Sequence, residues 1–130
     1  MSGGEEIHQV AEKLNALALQ GSTDNEKDRE SLIIKTIEQY GRVDVLIKNT
    51  RRTTKGYLLG VTDNDWENGM NLLLMNVIRS SKIVIPIFQN QGGGNMVNTS
   101  AFGALASSFG FPISSVMRSA LGSHTKLYVA

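Results

Sequence analysis

Ser114 and Arg118 stand four residues apart in Phe111-Pro112-Ile113-Ser114-Ser115-Val116-Met117-Arg118, a spacing that puts a hydroxyl and a guanidinium on one face of a helix. Such a pair can bind an anion or act as a weak acid/base pair. A serine hydroxyl carries protons or attacks only beside a strong base, however, and an arginine does not give up its charge. The simpler reading is preferred: Ser114 opens the helix and Arg118 is a solvated or structural cation. The two histidines are His8 and His124. His124 shares an apolar stripe with Met117, Leu121 and Tyr128, so it reads as a partly buried structural residue. No cysteine accompanies either histidine, and no metal site is expected. The Gly92-Gly93-Gly94 run is followed by a strand pattern instead of a helix, which makes it a turn and not a phosphate loop. Tyr57 and Trp66 read as packing residues. Tyr57, with Asn49 and Arg118, is the alternative set for lining a small-molecule cleft.

Composition narrows the function classes. The chain has 130 residues, 41% apolar and 19% charged, with a formal charge of +1, the profile of one soluble globular domain over 1–130. Its one basic cluster, Arg51-Arg52-Thr53-Thr54-Lys55, is short and lacks interleaved aromatics, so no nucleic-acid partner is expected. There is no cysteine, which removes disulfides and thiolate chemistry and fits a reducing, cytoplasmic setting. No signal peptide is visible, the apolar runs are too short and interrupted to span a bilayer, and no membrane partner is expected.

These residues need elements to position them. Ile7, Val10, Ala11, Leu14 and Leu17 recur at helical spacing and predict a helix over 5–17. Leu17-Ala18-Leu19-Gln20, stopped by Gly21, suggests a strand. Ser22 to Asn25 supply caps for a helix over 26–40 that ends at Gly41. Val43-Asp44-Val45-Leu46-Ile47 reads as a parallel strand buried on both faces. A polar loop follows to about Val61, and Thr62 to Asp65 cap a long helix from Trp66 toward Asn90. Trp66, Met70, Leu73, Val77, Val84 and Phe88 form its stripe, widened by Leu74, Ile78 and Ile85, with a kink expected at Pro86. Asn95-Met96-Val97-Asn98-Thr99 predicts another strand. A Gly-, Ala- and Ser-rich loop then leads to a last helix from about Ile113 to the end of the chain. Alternating helices and apolar strands argue for an α/β parallel sheet.

In this order, several segments resemble the middle of the short-chain dehydrogenase/reductase family. Gly41 to Asn49 is similar to the family's fourth strand and its Asn-Asn-Ala-Gly motif. Thr62 to Trp66 is similar to the start of the following helix, and Gln91 to Ser100 to the approach to the fifth strand. Residues 111–127 are similar to its catalytic helix. The resemblance implies a partial doubly wound, Rossmann-like, three-layer α/β fold with about three parallel strands and flanking helices. It also implies NAD(P)-dependent oxidoreductase chemistry, in which a Tyr moves the proton and a Lys beside it lowers the phenol pKa. A Ser orients the carbonyl and a helix Asn completes a relay.

Those four positions fall here on Ser114, Arg118, Ala101 and Leu73, with Asn71 and Asn76 near the last. Asn49 and Arg118 are the weak candidates for cofactor contact. Arg51 takes the place of the family's close-approach glycine, and Ser22 that of the Asp after its third strand. Met1 to Gly4 are similar to the tail of the second strand, so the glycine-rich phosphate loop lies outside the resemblance. In the strand order 3-2-1-4-5-6, Leu17–Gln20 would be third and Val43–Ile47 fourth, with both spacers absent. Unpaired strands are costly. The strand near Leu17 is therefore expected to pair directly with that near Val43, or another chain to fill the gap, unless the chain is a fragment.

The expectation is a truncated, degenerate homologue of the family without independent catalysis, a homo-oligomeric scaffold assembled through helices 66–88 and 114–128. No cofactor is expected for this chain alone. The alternatives are an oxidoreductase using NAD or NADP whose nucleotide half lies outside this chain, and a small-molecule binding module.

Overall fold

The structure, a computed structural model, describes residues 3–128 and divides them between two units, Met1–Val43 and Asp44–Ala130. In the first unit, α1 spans Gly3–Leu14 and α2 spans Glu26–Tyr40. The Asn25 side chain accepts a hydrogen bond from the Asp28 N–H at 3.2 Å and caps α2 at its start. Gly41 ends it in the left-handed conformation at φ 82°, which a residue without Cβ adopts at little cost. Asn15, also left-handed at φ 50°, ends α1 three residues before the expected limit. The stripe read from the sequence is little used: Ala11 is buried, while Ile7, Val10 and Leu14 are exposed.

Leu17–Gln20 is irregular and not a strand. Its Leu17 N–H donates to the Tyr40 hydroxyl at 3.0 Å. A short apolar run becomes a strand only beside another, and the sheet consists of two strands that pair with each other. The expected direct pairing of Leu17–Gln20 with the strand near Val43 is not among the strand pairs of the described residues. Met1 and Ser2, expected as part of a strand tail, lie outside the described residues, and Gly3 and Gly4 open α1.

The second unit carries the sheet. β1, Val45–Lys48, lies parallel to β2, Asn95–Asn98, with Val45 opposite Asn95 and Lys48 opposite Asn98. The Asn95 N–H donates to the Asp44 carbonyl and the Thr99 N–H to the Lys48 carbonyl, both at 2.9 Å. The expectation of burial on both faces fails for β1. Leu46, Lys48, Met96 and Asn98 point to the helix-covered face, whereas Val45, Ile47 and Val97 are exposed on the other.

Between the strands runs one helix over Asp63–Gln91, made of α3 (Asp63–Met70), a π-helical turn (Asn71–Met75) and α4 (Asn76–Gln91). By length and composition it could cross a membrane, but buried Asn76, Ser80 and Ser81 mark it as a helix packed on a sheet. Pro86 lies within α4, which continues to Gln91; the departure from α geometry falls instead at the π turn. Of the predicted stripe, Leu73, Val77, Val84 and Phe88 are buried, and Met70 is exposed. Gly92 and Gly93 have positive φ and close α4, and a Cβ on Gly94 would strike the Phe88 ring. α5, Pro112–Lys126, ends before the chain does, and Leu127 and Tyr128 form a turn. It buries Ile113 and Leu121. Gly69 lets α3 approach α5, because a Cβ there would meet Ile113.

Candidate functional site

Both strands end in loops at the same end of the parallel sheet, the end where open α/β sheets hold ligands. There α5 presents Ser114, half-buried, and Arg118, buried. The Arg118 Nε donates to the Ser114 Oγ at 3.2 Å. Its Nη1 donates to the Thr99 carbonyl at 2.7 Å, just past β2. The pair read from its spacing is thus brought together, and two of the guanidinium's donors, on Nε and Nη1, are used within the fold. Burial pushes the guanidinium's pKa down from its ordinary value; its hydrogen-bond partners among the described residues are neutral oxygens. Ser114 accepts from a cation and has no base beside it. What this geometry does best is fasten α5 to the end of β2.

The loop after β2 is fastened similarly. The Ser108 N–H donates to the Ser115 Oγ at 3.0 Å, and the Ser119 hydroxyl donates to the Ala104 carbonyl at 2.8 Å. Ala101, exposed and without a side-chain oxygen, leads into a 3-10 turn over Phe102–Ala104. Leu73 is buried at 2% exposure inside the π turn, where it can carry no proton. Asn49 is exposed beyond β1. Tyr57 is exposed too. His8 is exposed on α1. His124 is half-buried, edge-on to Tyr128 with ring centroids 4.9 Å apart. No group of three or more His, Cys, Asp or Glu among the described residues is placed to hold a metal ion.

The most polar buried group was not singled out in the sequence. Lys48 Nζ, on the covered face of β1, donates to Asn76 Oδ1 at 2.9 Å and to Ser80 Oγ at 2.5 Å. Asn76 and Ser80 are 1% and 2% exposed. Beside Lys48 on β2, Asn98 Nδ2 donates to Thr125 Oγ1 at 3.1 Å, while its Oδ1 is buried with no partner. The available signal was Asn76 and Ser80, polar four residues apart among the apolar Leu73, Val77 and Val84 of the same helix. Asn76, one of the two asparagines near the expected relay position, holds Lys48 instead.

A nicotinamide nucleotide fits these residues poorly. Arg118, one of the two weak candidates, is turned to Thr99 and Ser114; the other, Asn49, stands alone at the surface beside exposed Arg51. Among the described residues, no strand leads through glycines into a helix N-terminus, the arrangement that receives a pyrophosphate.

Residues 2–125 match the family model described as short chain dehydrogenase. The chain is 32% identical over 79 residues to the 3-oxoacyl-[acyl-carrier-protein] reductase FabG of Thermotoga maritima, covering 61% of this chain and 32% of that protein. It is 29% identical over 101 residues to human dehydrogenase/reductase SDR family member 4, covering 77% of this chain and 36% of that one. Among solved structures, a short-chain dehydrogenase of Streptomyces avermitilis is 25% identical with a TM-score of 0.85, covering 94% of this chain and 46% of its own. A Burkholderia phymatum short chain dehydrogenase/reductase, solved with NAD, superimposes with a TM-score of 0.89 at 20% identity, covering 97% and 47%. The chain thus spans about a third of the length of these curated relatives.

Proposed function

The chain belongs to the short chain dehydrogenase family, and from that premise we propose that it is an oxidoreductase homologue that does not catalyse the family's reaction by itself. The observation that carries this reading is the Arg118 hydrogen-bond set. A residue that would grip a cofactor ribose or steer a phenol is bonded to the Thr99 carbonyl and to the serine in the phenol's place. Around it, Ala101 and Leu73 supply no group that can donate or accept a proton in a relay. A serine hydroxyl without an adjoining base stays protonated near neutral pH and cannot serve as the acid/base. The protein would then act through its surfaces, as a cytoplasmic homo-oligomeric scaffold using helices 66–88 and 114–128.

One fact favours a second reading. The solved relative that carries NAD is about twice as long as the matched region. A nucleotide-binding half supplied from outside the matched region would make this chain the substrate-side half of an NAD(P)-linked enzyme.

The test is turnover. NADH or NADPH is incubated with the protein and a panel of ketones and aldehydes, and nicotinamide absorbance is followed. No oxidation above the protein-free rate is expected. Oxidation that needs a carbonyl substrate and disappears in both Ser114→Ala and Arg118→Met would overturn the proposal.

A further inference from the structure

We infer that Thr54 is a phosphorylation site for a protein kinase that reads paired arginines, and that the modification releases the loop after β1 from the start of α3. The cluster Arg51-Arg52-Thr53-Thr54-Lys55 has no part in the site described above. Arg51 and Arg52 stand three and two residues before Thr54, and both are exposed. Kinases select substrates by charge patterns of this kind, because guanidinium groups pair with carboxylates in charge-assisted, bidentate fashion. The two threonines differ in placement. Thr53 Oγ1 is buried with no hydrogen-bond partner and its methyl lies against Gly69, whereas Thr54 is exposed. Fold and sequence therefore select the same hydroxyl. No backbone–backbone hydrogen bond holds residues 50–55 among the described residues. The next along the chain joins the Gly56 N–H to the Gly110 carbonyl at 3.2 Å. The segment can thus extend into a kinase cleft without breaking secondary structure. All of these groups lie in one unit, Asp44–Ala130, and the inference does not rest on the reading of the degenerate site.

The step is phosphoryl transfer from ATP. Thr54 Oγ1 forms a bond to the γ-phosphorus, and the bond from that phosphorus to the β,γ-bridging oxygen breaks. ADP leaves, and the hydroxyl proton passes to the kinase's catalytic aspartate. In the unmodified chain the Thr54 hydroxyl donates to Asp65 Oδ1 at 3.1 Å. That bond ties the loop to the residue whose side chain closes the capping box of α3. Esterification removes the donor and places about −1.5 to −2 charge beside the Asp65 carboxylate. The helix end offers about half a positive charge, but Asp63 and Asp65 already stand in its first turn, so a further anion is repelled. The phosphate is drawn instead toward Arg51, Arg52 and Lys55, which flank it in the loop. The loop parts from α3, and Asp65 keeps its bonds to Thr62.

The full chain is incubated with magnesium ATP and the catalytic subunit of cyclic-AMP-dependent protein kinase, a probe with this arginine preference, and followed by intact-mass and tandem mass spectrometry. Gain of a single phosphoryl group is expected, on Thr54. It is expected to be absent from Thr54→Val and largely lost when Arg51→Ala and Arg52→Ala are combined, both with unchanged circular dichroism spectra. The phosphorylated chain is expected to melt below the unmodified chain at neutral pH, and Asp65→Asn to remove that difference. No incorporation while a control peptide is phosphorylated to completion overturns the site. So does phosphate on Thr53 or another residue in place of Thr54, or full incorporation in the double arginine variant. An unchanged melting temperature on phosphorylation, or an equal fall in the Asp65→Asn chain, overturns the release of the loop.

Discussion

At the scale of single residues, two cations divide the chemistry. Arg118 was legible from its spacing to Ser114, because residues four apart on a helix are neighbours by geometry alone. Its use was not: the Thr99 carbonyl that takes its Nη1 lies in a loop after another element. Lys48 was invisible for the same reason, since Asn76 and Ser80 are far along the chain. Replacing Lys48 by Met leaves two buried oxygens without their donor. Leaving such groups unsatisfied costs about 1–3 kcal/mol each, so Lys48→Met is expected to lower unfolding free energy by about 2–6 kcal/mol in urea titrations. Asn49→Ala, at an exposed site, is expected to stay within about 0.5 kcal/mol of wild type. Equal stability of the two variants would show that the Lys48 cluster is not a structural anchor.

At the scale of elements, helices were read well and strands less so, for a physical reason. A helix satisfies its backbone internally, and its caps and periodicity are local; Asn25, Gly41 and Thr62 all mark real ends. A strand is completed by a neighbour, and Leu17–Gln20 pairs with no strand among the described residues. The start of α3 yields a prediction in pH. The Asp65 carboxylate accepts from the Thr62 N–H at 3.0 Å and the Thr62 hydroxyl at 2.8 Å, while its own N–H donates to Thr62 Oγ1 at 3.1 Å. The backbone bond from Thr62, then its hydroxyl, hold the carboxyl below its ordinary pKa. Because the folded value lies below the unfolded one, the stabilisation is complete above the unfolded pKa and is lost as pH falls through the folded one. The melting temperature of Asp65→Asn is therefore expected to lie below wild type at neutral pH and to converge with it in acid. A gap that stays constant with pH would refute the assignment. Gly69→Ala drives a methyl into Ile113, which is fully buried. Overpacking of this kind costs about 1–3 kcal/mol, and chemical denaturation should show a loss in that range. No loss would mean that α3 and α5 can separate without penalty.

At the scale of the whole molecule, the α/β class and the order of segments were legible because hydrophobic periodicity and chain order survive when reactive residues change. The extent of the sheet was not. Strand number depends on which strands are present to pair, and β1 keeps one apolar face open as a result. The surfaces of helices 66–88 and 114–128, more than the degenerate site, are where function is proposed to lie. The central claim is that the chain alone does not engage a nicotinamide nucleotide. Arg118 uses its Nε and Nη1 within the fold, and no glycine turn leads a strand into a helix N-terminus among the described residues. A ligand that binds only the folded state raises its stability by mass action, so thermal denaturation in the presence of NAD, NADH, NADP or NADPH reads binding without requiring turnover. The account predicts an unchanged melting temperature with each nucleotide up to millimolar concentration. A saturable rise at micromolar nucleotide, lost in Arg118→Met, would contradict it.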